Sequence, residues 1–227
     1  MLPSDILIGA LSAVPYDHRR NLVRETWGAD CDRMGVQYYS LIGDNIKICD
    51  VLEQDTTLDQ HIWVLPCPDA YQFLPQKTRH FCRAALQFPN WKWLLKTDDD
   101  SYISVPRLLQ LNLVGDYIGA EYKRGVKYAS GAGYFVSRKA VEILADRLRI
   151  PTGAEDLCVG LYLHAAGIAF TIDNEHIIPF ATRTHRGSAD NTVVITHRLL
   201  VKDTPFIDRE PWMLCHQETG LDAITDH

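Results

Sequence analysis

The sequence predicts an α/β protein built on a mostly parallel, mixed sheet flanked by helices. Three observations predict it. Short apolar runs rich in β-branched residues alternate with segments of helical apolar spacing, in the order β-α-β-α-β-α-β. The links between them are short, as in wound α/β units. The run Trp93-Leu94-Leu95-Lys96 leads straight into Asp98, Asp99 and Asp100. A strand ending in acids delivers them to the crevice beyond the strand ends, where open α/β sheets bind ligands.

Each element has a local reason. Ile6 to Ala10 is a short apolar run and reads as a central strand. His18 to Gly28 reads as a helix that Asp17 caps and Gly28 ends. Within it Val23 and Trp27 pack inward together, and Arg20 and Arg24 share a neighbouring stripe. Those two arginines are either a solvated basic face or an anion-binding pair. Val36 to Ile42 and His61 to Leu65 read as the next strands. The acidic segment between them, with Leu52 and Leu58, reads as a helix.

Pro66 to Asp69 forces a break, and Phe73 to Phe88 has the spacing of a helix lying on the sheet. The Trp93 strand follows, then an apolar pulse over Ser101 to Ser104. Pro106 starts a helix through Leu111. Asp116 to Ala120 and Gly133 to Val136 are further strands, and Ser137 caps a helix to about Arg149. Gly131 and Gly133 suit either a close backbone approach or a bulge. Pro151 to about Gly167 is a helix with Glu155 and Asp156 in its first turn, and Ile168 to Ile172 is a last strand. A histidine-rich stretch with His176, His185 and His197 follows.

The chain has 227 residues, 46% hydrophobic and 23% charged, enough for one domain with a full core. That domain is expected over 1–204, with a tail of unassigned role over 205–227. A net charge of -6 argues against nucleic acid or an anionic membrane as partner. No run of about 18 apolar residues occurs, so no transmembrane segment is expected. The six cysteines are scattered, without zinc-ligand spacing; disulfides are permitted but a core this size does not require them. Neither a basic signal region nor an N-x-[ST] acceptor is present. Oligomeric state is not readable.

Six pieces in this order resemble family 31 of the glycosyltransferases, the β-1,3-galactosyl- and N-acetylglucosaminyltransferases. Arg19-Arg20 through Arg24-Glu25-Thr26-Trp27-Gly28 resembles R-R-x-x-[IV]-R-x-[TS]-W-G. Asp69-Ala70-Tyr71 with Lys77-Thr78 resembles D-x-Y-x-N-L-x-x-K-T, with Phe73 in place of asparagine and an unexpected Pro75. Lys96 to Asp100 resembles K-x-D-D-D, the D-x-D element. Tyr128 to Ser137 resembles Y-x-x-G-x-G-Y-x-x-S. Glu155-Asp156 with Val159-Gly160 resembles E-D-V-x-x-G, with Leu157 in place of the valine. Ile195-Thr196-His197 resembles the late histidine segment.

The resemblance implies a GT-A fold and an inverting, metal-dependent transferase. Such an enzyme moves a hexose or N-acetylhexosamine from a UDP-sugar to a glycan acceptor hydroxyl, in a β-1,3 linkage. A divalent cation on carboxylate oxygens would stabilise the leaving diphosphate. The expected ligands are Asp100 and, by resemblance, His197, whose imidazole favours Mn²⁺. Asp98 would lie near the ribose and Asp99 beside the metal or its waters. Asp156 matches the family's catalytic aspartate, the base that takes the acceptor's proton. Glu155 would support the site or touch the sugar. Arg20 and Arg24 would meet the uridine or diphosphate. Tyr102, Gly131, Gly133 and Tyr134 would shape the sugar pocket.

Each assignment has an ordinary rival. Acids before a turn can simply be solvated, acids in a first helical turn complement the helix dipole, and one of nine histidines can be merely half-buried. At the level of function the rival is a silent relative acting as a chaperone or sugar-binding module. A metal-dependent phosphohydrolase would want clustered histidine and aspartate ligands, and the histidines here lie far from the acids in sequence. Two settings are compatible with the sequence. One is cytoplasmic, in a bacterium or virus; the other is a Golgi-lumenal domain with its N-terminal anchor removed.

Overall fold

Strand β1 (Ile6–Leu11) is buried along its whole length because helices cover both faces of its sheet. Side chains alternate across a strand. Accordingly Leu7 and Leu11 enter one core, while Ile6, Ile8 and Ala10 enter another. The structure is a computed structural model that describes residues 1–44, 57–59, 61–124, 126–148, 154–178 and 194–197. The expected tail, Leu52, Cys49, Cys215 and His185 lie outside the described residues.

After β1 come α1 (Asp17–Glu25), α2 (Trp27–Met34), β2 (Gln37–Gly43), β3 (Thr57–Asp59), β4 (Ile62–Leu65) and α3 (Leu74–Ala85). The middle of the chain forms β5 (Trp93–Asp98), β6 (Ser101–Ile103), α4 (Val105–Gln110), β7 (Tyr117–Arg124) and β8 (Val126–Ser137). The last described elements are α5 (Arg138–Arg147), α6 (Glu155–Ala165), β9 (Phe170–Ile172), β10 (Ile177–Ile178) and β11 (Ile195–His197). An eight-stranded mixed sheet runs β3-β4-β2-β1-β5-β8-β7-β9. Its centre, β4-β2-β1-β5, is parallel, whereas β5-β8 and β8-β7 are antiparallel. A small second sheet, β10-β11-β6, sets β11 antiparallel to β6.

The two faces bury different helices. Phe81 and Cys82 of α3, Val141 and Leu144 of α5, and Val159 and Leu163 of α6 pack on one face. Val23 of α1, Trp27 and Cys31 of α2, and Val105 and Leu108 of α4 pack on the other. Each large apolar side chain so buried stabilises the fold by roughly 1.5–3 kcal/mol. Among the described residues, Cys31, Cys67, Cys82 and Cys158 are buried free thiols.

Two expectations need correction. The helix expected over His18 to Gly28 breaks at Thr26, whose backbone leaves the helical region (φ -118°, ψ -111°) and whose hydroxyl donates to the Leu22 carbonyl at 2.7 Å. Gly28 therefore lies inside α2, where a Cβ would stand 2.7 Å from the Tyr38 hydroxyl and the Val23 carbonyl oxygen. It is a close-packing glycine and not a stop. Leu58, assigned to a helix, lies in strand β3. Ser137 caps α5 as expected, accepting from the Ala140 amide at 3.3 Å.

Candidate active site

At the carboxyl ends of β1 and β5 opens a cleft of 810 Å³. Parallel pairing puts Leu11 opposite Asp98, so both strands stop at the same level and the chain must turn there. The Asp99 amide donates to the Leu11 carbonyl at 3.0 Å, which stitches the acidic turn to the end of β1. Trp27, fully buried, donates its indole N–H to the Ser101 carbonyl at 3.2 Å and holds the far side of the turn. Two separate sequence motifs thus meet at one turn.

The three acids have different surroundings. Asp98 faces the Lys96 ammonium at 2.8 Å and keeps 29% of its side chain exposed. Asp99 turns inward, accepting from the Ser12 hydroxyl at 2.7 Å and from Arg19 at 2.9 Å. Burial, only partly offset by Arg19 and Ser12, pushes its carboxyl up to about 6. Asp100 lines the cleft beside them. Asp99 is therefore bound into the wall and carries the Arg19 guanidinium.

The opposite wall is the start of α6. Glu155 is buried, with one oxygen accepting from the Thr78 hydroxyl at 2.7 Å and from the Tyr134 hydroxyl at 2.5 Å. Its other oxygen lies 3.1 Å from Lys96. Burial raises its carboxyl above the ordinary value, outweighing the pull of Lys96, Tyr134 and Thr78. The next residue, Asp156, lines the cleft and accepts from the Leu157 amide at 2.9 Å. Above Gly131 the two walls converge. From the point where its Cβ would stand, Asp98 Oδ2 is 3.3 Å away, Asp156 Oδ2 3.7 Å and Lys96 Nζ 3.8 Å.

Other expected site residues lie elsewhere. Arg20 is buried, and its guanidinium donates to Ser12 Oγ and to the Ala13 and Val14 carbonyls, bracing the loop after β1. Arg24 is exposed and donates to Asn21. The guanidinium in the cleft is Arg19, stacked 4.3 Å over the Tyr16 ring. Tyr102 belongs to the core, and Tyr134 lies beneath the site holding Glu155. Gly133 makes room for Ile195 of β11, 2.9 Å from where its Cβ would be. His197 stands opposite Ser101 in the β11–β6 register, so its backbone runs alongside the acidic turn. Among the described residues no three histidine, cysteine or carboxylate side chains form a metal cluster.

Sequence reasoning missed Arg19, Ser12 and the Tyr122–Tyr128 pair, which line the cleft. Arg19 stands in the same motif as Arg20, and only the helix's rotation separates them. Tyr122 and Tyr128 face each other across the β7–β8 hairpin with ring centroids 5.6 Å apart. Asp69 and Lys77 form the buried base of the cleft, paired at 2.6 Å. Burial would raise the Asp69 carboxyl, but bonds from Lys77 and from the Val14 and Gly43 amides outweigh it and hold it low.

Residues 18–124 match the family model described as Galactosyltransferase. A UDP-GalNAc:beta-1,3-N-acetylgalactosaminyltransferase 2 of Xenopus laevis is 29% identical over 144 residues, covering 52% of this chain and 29% of that protein. Beta-1,3-galactosyltransferase GALT1 of Arabidopsis thaliana is 26% identical over 196 residues, covering 71% of this chain and 30% of that protein. The chain thus spans less than a third of either relative. A crystal structure of a glycosyltransferase involved in the glycosylation of the major capsid of PBCV-1 superposes with a TM-score of 0.55 at 13% identity, covering 93% of this chain and 98% of that one. The fold is the GT-A fold.

Proposed function

We propose that the chain is an inverting transferase of the galactosyltransferase family, family 31 of the glycosyltransferases. It moves galactose or an N-acetylhexosamine from a UDP-sugar to a glycan hydroxyl, forming a β-1,3 linkage. One observation carries this reading: Asp98, Asp100 and Asp156, from two separate motifs, line a single cleft at the strand ends. The names of the relatives support galactose and N-acetylgalactosamine as the first donors to try. Vertebrate and plant relatives favour a eukaryotic-type setting over a bacterial or viral cytoplasm. Among the described residues no helix is long and apolar enough to cross a membrane.

Asp156 acts as the base. Its Oδ1 is occupied by the Leu157 amide, which leaves Oδ2, on the Gly131 side, to take the acceptor proton. Closeness of that oxygen to the acceptor hydroxyl supplies much of the effect. Arg19, held by Asp99, offers its guanidinium to the diphosphate. Carboxylate oxygens at the acidic turn are of the kind that suits a divalent cation. Asp100 would supply a hard oxygen, and the family resemblance makes His197, whose backbone runs beside the turn, the second ligand, of the kind that suits Mn²⁺. Bound there, the cation would neutralise charge on the leaving UDP.

Calorimetric titration of UDP, with Mn²⁺ and with EDTA, tests the reading on wild type and Asp100→Ala. Binding that needs both the metal and Asp100 is expected. Asp156→Asn should bind UDP like wild type yet lose about 10²–10⁴-fold in turnover. A wild type that binds no UDP under any condition would instead favour a silent relative that acts as a chaperone or sugar-binding module.

A further inference from the structure

We infer that Lys96 is a positioning residue, whose buried ammonium fixes Asp98 and the start of α6 so that Asp98 and Asp156 face one gap; this rests on the transferase reading above. Lys96 stands mid-strand in β5, opposite Gly9 on one side and Tyr134 on the other. That is a core position, and the residue is 1% exposed. Its ammonium lies 2.8 Å from Asp98, 3.1 Å from Glu155 and donates to the Gly131 carbonyl at 3.1 Å. One cation therefore ties together the end of β5, the first turn of α6 and the middle of β8.

Taking an ammonium out of water costs several kcal/mol unless it is paired, and an apolar residue would fill this position more simply. What the charge provides is geometry. Glu155 has its remaining bonds to Thr78 on α3 and Tyr134 on β8, so the Lys96 contact completes a three-sided hold on the helix that presents Asp156. Across the gap, Asp98 is partly exposed and would turn to water if nothing held it. Two carboxylates sharing one gap also repel each other, and an ammonium within 3.8 Å of the same point offsets that repulsion. Gly131 has no side chain to fill the gap, which leaves it open to substrate hydroxyls. Lys96 touches no reacting atom in this scheme; it acts through its two carboxylates.

The test is a cycle of Lys96→Met, Glu155→Gln and the double variant, beside wild type. Urea unfolding, UDP affinity by calorimetry, and kcat and KM with UDP-galactose or UDP-N-acetylgalactosamine are measured on each. The double variant should regain most of the stability that Lys96→Met loses, since no charge is then left buried alone. Its kcat should still lie at least about 100-fold below that of Glu155→Gln, the scale of a misplacement near 1 Å. The fall in kcat should exceed any fall in UDP affinity or rise in donor KM. Recovery of kcat together with stability would reduce Lys96 to charge neutralisation and overturn the inference, as would a loss confined to KM. If Lys96→Met does not fold, the double variant against Glu155→Gln decides alone. A wild type inert towards UDP and UDP-sugars overturns the transferase reading and this inference together; an active wild type with a recovered double variant overturns this inference alone.

Discussion

Arg19, Arg20 and Arg24 share one helix, yet each has a different task. Arg20 is enclosed by carbonyls of the loop after β1, and Arg24 reaches only Asn21 at the surface. Arg19 alone of the three lines the cleft, and it is held there by a buried aspartate. Arg19→Ala should therefore weaken UDP binding measurably, while Arg24→Ala leaves it unchanged and shifts stability by no more than about 0.5 kcal/mol. Equal losses in a UDP titration of the two variants would refute this division. The motif told which stretch matters but not which arginine. A helix turns 100° per residue, so neighbours point apart, and the packing of Leu22 and Val23 fixes the rotation. Asp98 and Asp99 differ for the same kind of reason: β5 ends between them, and a strand sends successive side chains to opposite sides.

Elements position the site through close contacts that single glycines permit. In α6, Gly160 lies against β8, where an added Cβ would stand 2.4 Å from the Tyr128 Cβ. Neither backbone can yield there without moving the helix whose first turn holds Glu155 and Asp156. Gly160→Ala should cost about 1–3 kcal/mol in urea unfolding, the usual range for overpacking, and should lower turnover as well. Wild-type stability in that variant would mean that α6 is not seated as described. Periodicity revealed most elements, because both faces of the sheet are buried and each strand reads as a continuous apolar run. It failed at Thr26 and at Leu58. The break at Thr26 comes from a hydroxyl returning to the Leu22 carbonyl, inside a stretch whose apolar spacing stays helical. Leu58 is held by pairing with Trp63 of β4, a partner that no local pattern announces. The small sheet β10-β11-β6 escaped for the same reason, since its strands are two or three residues long and distant in sequence.

Across the whole molecule, two buried groups should set opposing responses to acid. Burial on the inner side of α3, helped by Arg79 and Arg83, lowers the His80 imidazole from 6.5 to about 4. A depressed histidine favours the folded state above its unfolded value, and that contribution is lost as pH falls from 6.5 towards 4. Asp99 runs the other way, raised from 3.8 to about 6. Its folded form binds a proton first, so its contribution is largest below pH 3.8 and is lost as pH rises through 6. Between pH 7 and pH 5 the histidine should remove about 2 kcal/mol, while the aspartate restores about 1 kcal/mol. Wild type should thus weaken only slightly over that range. His80→Gln should remove the loss, so that the variant gains stability as pH falls to 5. Asp99→Asn should remove the compensation and expose the full acid sensitivity. Urea midpoints at pH 7 and pH 5 for the three proteins check this, and parallel shifts in all three would show that neither group governs it. The comparison bears on the site as well, because Asp99 is the residue that holds Arg19. If its proton is bound near pH 6, Arg19 is released from its partner in the same range, and affinity for UDP should change with stability. A nucleotide affinity that stays flat while the Asp99 contribution appears in unfolding would separate the stability role of that aspartate from its hold on Arg19.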